Sequence, residues 1–118
     1  MAPIGIFAKR LKEARLRKAQ KLGYPTARGY SQERLGIEAG VEEESASARI
    51  NQYEKGTRVP DLGMAARLAD VLEVPMAFLF CADDRLANLL LAAHALTPAQ
   101  QQNLLQNALH MAGLNPPQ

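Results

Sequence analysis

Tryptophan is missing from this sequence, cysteine occurs once, and aromatic residues make up only 5% of it. A core without large rings must be built mostly from Leu, Ala, Ile and Val. The scarcity of β-branched residues favours helix over sheet. A lone cysteine, Cys81, excludes an internal disulfide and fits a reducing, cytoplasmic setting. Long apolar runs are absent too. Runs such as Leu89–Ala93 fall far short of the ~20 residues that cross a bilayer, and Met1–Phe7 lacks the apolar stretch of a signal peptide. There is no Gly-rich phosphate loop, no carboxylate pair suited to a cleft and no metal-ligand spacing. Enzymatic, cofactor and metal chemistry are therefore not expected. His94 and His110 have no acidic companions and read as surface or interface residues.

Charge is absent from one end and crowded at the other. From Leu86 onward no side chain carries a formal charge, counting both histidines as neutral. Residues 1–30 hold Lys9, Arg10, Lys12, Arg15, Arg17, Lys18, Lys21 and Arg28 against Glu13 alone. The basic front end points to a polyanionic partner. The uncharged tail points to a surface covered by something else. At 118 residues the chain is one domain, or one small domain with an appendage.

What is present reads as helix throughout. Phe7, Leu11 and Ala14 recur at helical spacing in a first helix over about Ile6–Leu22, stopped by Gly23. A connecting loop, Gly23–Tyr30, follows. Ser31 is placed to cap a second helix, Gln32–Ala39, with Leu35 and Ala39 inward. Gly36 within it is tolerable where another helix crosses closely. A third helix starts between Glu42 and Ala46 and ends at Lys55, with Gly56 in the left-handed position. Asp61 caps a fourth, Leu62–Leu72, burying Leu62, Ala65, Leu68, Ala69 and Leu72. A short fifth, Pro75–Phe80, supplies Phe78, Leu79 and Phe80 to the core. A sixth begins at Asp83 or Asp84 with a stripe of Leu86, Leu89, Leu90 and Ala93. Thr97-Pro98-Ala99-Gln100 is a capping box opening a seventh, to about Met111, and Asn115–Gln118 reads as a frayed tail.

The stretch Ser31–Pro60 has the form of a DNA reader. A major groove about 12 Å wide admits one α-helix, and a second helix across the backbone fixes its angle. The inserted face must be small or polar, as Ser47, Ala48, Asn51 and Gln52 are. Gln can bond adenine in a bidentate way, and Ala can touch a thymine methyl. Ser31, Gln32, Lys55, Thr57 and Arg58 lie at helix ends or in the following loop, within reach of phosphates.

The blocks Phe7-Ala-Lys-Arg-Leu-Lys-Glu-Ala-Arg15, Ser31-Gln-Glu-Arg-Leu35, Ile50-Asn-Gln-Tyr-Glu54-Lys-Gly56, Pro60 and Leu68-Ala-Asp-Val-Leu-Glu-Val-Pro75 together resemble the lambda-repressor-like, Cro-type helix-turn-helix domain of the XRE family, over about residues 4–80. The resemblance implies an all-α fold: a five-helix DNA-binding domain, residues 1–82, followed by two C-terminal helices in 83–118. It implies a recognition helix reading bases with Ser47, Ala48 and Gln52, with Arg49 and Asn51 at its edges. Gln32 would bind phosphate and buttress that helix. Arg15 and Glu54 occupy the positions of a buried ion pair, Arg15 also lying near the DNA backbone.

Two departures stand out. The connection Leu16–Tyr30 is longer than the family's, and its Lys18, Lys21 and Arg28 either touch phosphate or project into solvent. Glu42-Glu43-Glu44-Ser45 lengthens the turn inside the motif by roughly one helical turn, which adds to the front of the third helix and leaves Ser45 and Ser47 both candidates to lead into the groove. The expected protein is a small bacterial or phage regulator, a repressor rather than an activator. It would bind palindromic double-stranded DNA as a homodimer paired through residues 84–112. The alternative is an antitoxin-like module whose apolar C-terminal helices dock a partner protein. A regulator gated by a small ligand between the last three helices is a third.

Overall fold

Strong end signals account for most of the secondary structure. The computed structural model describes residues 3–114, and among these it contains helices and no strand. Helix α1 spans Pro3–Lys21, α2 Gln32–Glu38, α3 Glu43–Lys55, α4 Leu62–Leu72, α5 Asp84–His94 and α6 Pro98–Ala112. Short 3₁₀ turns occupy Ala27–Gly29 and Met76–Phe80, the second standing where a fifth helix is predicted. The predicted caps are in place. Side-chain oxygens of Ser31, Asp61, Asp83 and Thr97 accept the backbone N–H three residues on, and Gln100 completes the capping box with Thr97. Gly56 and Gly113 close α3 and α6 in the left-handed conformation. Helix α1 begins earlier than its apolar spacing indicates, at Pro3, because proline suits a first helical turn. The segment Asn115–Gln118 lies outside the described residues.

The core is a single cluster. Phe7, Leu11 and Ala14 of α1 meet Leu35, Ile50, Tyr53, Leu68, Leu72, Phe78 and Leu79. Phe7 stacks edge-on to Tyr53, with centroids 6.4 Å apart, and lies 5.4 Å from the Phe80 ring. Two predicted core residues are corrected. Leu62 is 72% exposed, because the first position of α4 points away from the cluster, and Met64 is buried instead. Phe80 is 42% exposed, lying over Phe7 at the edge of the core.

Helices α2 and α3 cross closely at Gly36. A Cβ there would lie 2.8 Å from the Ala46 Cβ and 2.9 Å from its carbonyl oxygen. Tyr30, just before the Ser31 cap, is fully buried, as is Leu35. These are the two positions of a hydrophobic staple. The Tyr30 phenol donates to Glu38, and Arg67 Nε donates to the Ala39 carbonyl at the other end of α2. Burial raises the phenol above its ordinary value and the bond to Glu38 adds to this. The same bond leads in holding the Glu38 carboxyl below its ordinary value.

The C-terminal helices form an arm. Arg10 of α1, only 3% exposed, donates to the carbonyls of Cys81 and Ala82 and to Asp84 at 2.9 Å, tying the start of α5 to α1. Ala87 is the buried residue of α5, and α6 has none. The predicted stripe of α5 therefore does not face the core: Leu86 and Leu89 are exposed, Leu90 and Ala93 half-buried. The molecule measures 50 × 32 × 24 Å. Its radius of gyration, 15.8 Å, exceeds the ~13.5 Å of a compact chain this long.

Replacing Gly36 with Ala is expected to lower stability by about 1–2 kcal/mol, because crowding against Ala46 outweighs the gain of about 1 kcal/mol in helix propensity. A fall in the urea midpoint at unchanged slope checks this. The Tyr30–Glu38 bond needs the carboxylate charged and the phenol protonated. A carboxyl lowered on folding stabilises above its ordinary value of 4.5, and a phenol raised on folding stabilises below its ordinary value of 10.0. The bond is thus whole at pH 7 and weakened at pH 3. The stability difference between those pH values is expected to be smaller in Tyr30→Phe than in the parent.

Candidate nucleic-acid interface

Helix α3 presents two faces and two edges. Ala46, Ile50 and Tyr53 are buried, so the helix is fixed by one side. Glu44, Ala48, Gln52 and Lys55 point directly outward and are exposed. Between these faces, Ser47 and Asn51 flank α2 on one edge, and Ser45 and Arg49 lie on the other. The added residues lengthen α3 at its front: the helix begins at Glu43, with Glu42 as an N-cap lacking a side-chain bond. Two carboxylates, Glu43 and Glu44, stand in the first turn, where the helix dipole favours them.

The angle between α2 and α3 is set by a buried polar network. Arg15 Nε and Nη2 donate to the two oxygens of Glu54, at 2.7 and 3.0 Å. Arg15 Nη1 donates to the carbonyls of Ala27, at 2.8 Å, and Tyr30, at 2.9 Å. Four of its five N–H groups are thereby used. The two side chains are 8% and 4% exposed. Gln32 Nε2 donates to Glu54 Oε1 and to Asn51 Oδ1, at 3.2 and 3.3 Å, so Gln32 links α2 directly to α3. Thr57 donates its hydroxyl to the Gln52 carbonyl at the end of α3. Lys55 and Arg58 stand exposed beyond it.

The structure brings some sequence-predicted residues together and separates others. Arg15, Ser31, Gln32 and Ser47 share a polar cleft of about 540 Å³ with Glu33 and Arg28. Ser45 and Arg49 line a different hollow, with Gly40, Val41, Glu42 and Met64. Ser45 and Ser47, the two candidates to lead into a groove, thus sit on opposite edges of α3. Ser31 uses its hydroxyl oxygen as the α2 cap.

The basic front end is mostly engaged within the molecule. Arg10 and Arg15 are buried and paired. Lys9 pairs with Asp84, and Lys18 with Glu73 and the Val71 carbonyl. The surplus charge of residues 1–30 is therefore weaker as a sign of a polyanion than its count suggests. Sequence reasoning missed Arg10 and Arg67 as carbonyl-holding residues, and no motif marks either. For the Tyr30 anchor a signal exists: an aromatic immediately before a Ser cap, with Leu four residues into the helix.

Comparison with known proteins agrees with this geometry. A helix-turn-helix family pattern matches residues 26–79. A crystal structure of the transcriptional regulator BswR is 40% identical to this chain, covers 92% of it and 98% of its own length, and superposes with a TM-score of 0.75. The chain belongs to the XRE family of Cro-type helix-turn-helix proteins. No curated protein sequence matches it. The family assignment makes α2 and α3 the helix-turn-helix pair, and the Arg15–Glu54–Gln32 network its hinge pin.

Breaking this network on one side should be costly. Arg15→Met leaves the Glu54 carboxylate buried and unpaired, an expected loss of about 3–5 kcal/mol. Arg15→Met combined with Glu54→Leu is expected to lose less than Arg15→Met alone. Urea unfolding of the single and double variants checks the order.

Proposed function

We propose that this XRE-family chain is a sequence-specific transcriptional repressor that reads duplex DNA with α3 in the major groove. The observation that carries this reading is the exposed row Ala48, Gln52 and Lys55, with Ser47 and Asn51 beside it, on a helix whose other face is buried and whose angle is pinned through Gln32. The row is small and polar, as groove reading requires. Ser47, Ala48 and Gln52 are assigned to bases, with Ser45, Arg49 and Asn51 at the edges. Ser31, Gln32, Lys55, Thr57 and Arg58 are assigned to phosphates. Repression follows from occluding a promoter. The likeness to BswR, a transcriptional regulator, supports the regulatory part of this reading.

Residues 1–82 act as the DNA-binding unit and 83–118 as the pairing unit. The exposed Leu86, Leu89 and Leu105, on a stretch with no formal charge, support pairing with a second copy. A two-fold dimer reads a palindrome with half-sites about 34 Å apart. The same apolar arm also favours a second reading, in which it docks a different protein in the manner of an antitoxin.

Selection of bound sequences from random duplexes supplies the operator. On it, Gln52→Ala is expected to relax preference at one base pair by about 1–3 kcal/mol, and Arg58→Ala to weaken all sites alike with a shallower salt dependence. If neither change alters binding, the docking of α3 is wrong. Leu105→Glu, on a helix with no buried side chain, is expected to convert a dimer to a monomer in light scattering without loss of fold. A parent protein that is itself monomeric at micromolar concentration overturns the pairing.

A further inference from the structure

We propose that Arg28, in the long connection between α1 and α2, is a DNA-backbone contact that extends the footprint of each reading unit by one phosphate. The proposal rests on the DNA-reading function above. The connection is an anchored turn and not a loose tether. Its entry is held by Tyr24 N–H donating to the Ala19 carbonyl, at 3.0 Å. Its exit is held by the fully buried Tyr30 ring. Within it, Gly29 lies directly beneath Tyr24: a Cβ at Gly29 would fall 2.1 Å from a Tyr24 ring carbon, so the turn closes only around glycine. The carbonyls of Ala27 and Tyr30, on either side of Arg28, are both held by Arg15 Nη1. The same guanidinium grips Glu54 of α3. The backbone that carries Arg28 is thus fixed to the recognition helix through one buried group.

The cations at the end of α1 and in the connection have different surroundings. Lys18 is bonded to Glu73 and the Val71 carbonyl. Lys21 lines a separate hollow with Arg17, Glu73 and His94. Arg28 is exposed, has no ion-pair partner among the described residues, and faces the cleft shared with Ser31, Gln32 and Ser47. Glu33 lines the same cleft without pairing to it. An exposed guanidinium on a rigid turn, beside the edge of the base-reading face, suits a phosphodiester, which it can meet with two parallel N–H bonds. It carries no sequence information, because it meets the backbone and not the base edges.

The test uses the full chain, parent, Arg28→Ala and Arg28→Lys, titrated against a selected operator duplex and a scrambled one across a salt series by fluorescence anisotropy. Arg28→Ala is expected to reduce the slope of log affinity against log salt by about 0.9 for each protomer bound, the value for one phosphate. Its affinity should fall by the same factor on both duplexes, and Arg28→Lys should retain the slope. A melting temperature equal to the parent's confirms that the exposed side chain was removed without unfolding. An unchanged slope for Arg28→Ala in a chain that still prefers its operator overturns the phosphate contact and leaves the DNA reading intact. A loss confined to the operator also overturns it, since that marks a base contact. A parent chain that binds neither duplex overturns the DNA reading and this proposal with it.

Discussion

The guanidinium of Arg15 is the constraint on which the helix-turn-helix pair depends. It reaches three separate segments at once: Glu54 on α3, the turn at Ala27 and the residue before the α2 cap, Tyr30. Gln32 closes the circuit by bonding the same carboxylate from α2. Two charges withdrawn from water carry a large desolvation cost, which only near-complete hydrogen bonding offsets. Such a pair contributes little net stability over an apolar substitute. It does penalise any arrangement in which one partner is displaced. The chain can slide an apolar helix over an apolar core at small cost, but it cannot move α3 relative to α2 without exposing or orphaning these groups. The result is one defined angle between the two helices.

The C-terminal arm is governed by a similar device. Arg10 holds the two carbonyls that precede the α5 cap, and Asp84 at its first turn. Burial works against the Arg10 charge, yet the hydrogen bonds and charges of Asp84 and Glu13 outweigh it, so the group is held more firmly protonated than usual. Little apolar surface of α5 joins the core, so the arm owes its direction to this polar clamp and to Ala87. Leu86, Leu89 and Leu105 are left outward.

Helix ends were legible in the sequence because they are local. Ser31, Gly56, Asp61, Thr97 and Gly113 each satisfy backbone groups within a few residues, and nothing distant overrides them. The close crossing at Gly36 was legible for the same reason: glycine inside a good helix calls for a neighbour. Burial was less so. Leu62 and the Leu86–Leu89 stripe are apolar at helical spacing, but spacing gives a face and not what lies against it. The lengthening of α3 by the Glu42–Ser45 residues followed from their number, nearly one turn, but their path relative to Ser45 and Ser47 did not. The use of the front-end cations did not, because Lys9, Arg10 and Lys18 meet partners more than fifty residues away. Charge counted along a chain says nothing of such distant neutralisation.

Arg10 and Arg15 are five residues apart on one helix, which places them about 7.5 Å apart along α1 and about 140° apart around it. One aims the arm, the other the helix-turn-helix pair. Helix α1 is therefore a ruler and a protractor between the two. A single residue added between the two arginines would turn the Arg10 clamp by about 100° relative to the Arg15 network and take Phe7 out of the core with it. The direction of the arm relative to the α2–α3 pair is written in the length of that five-residue segment.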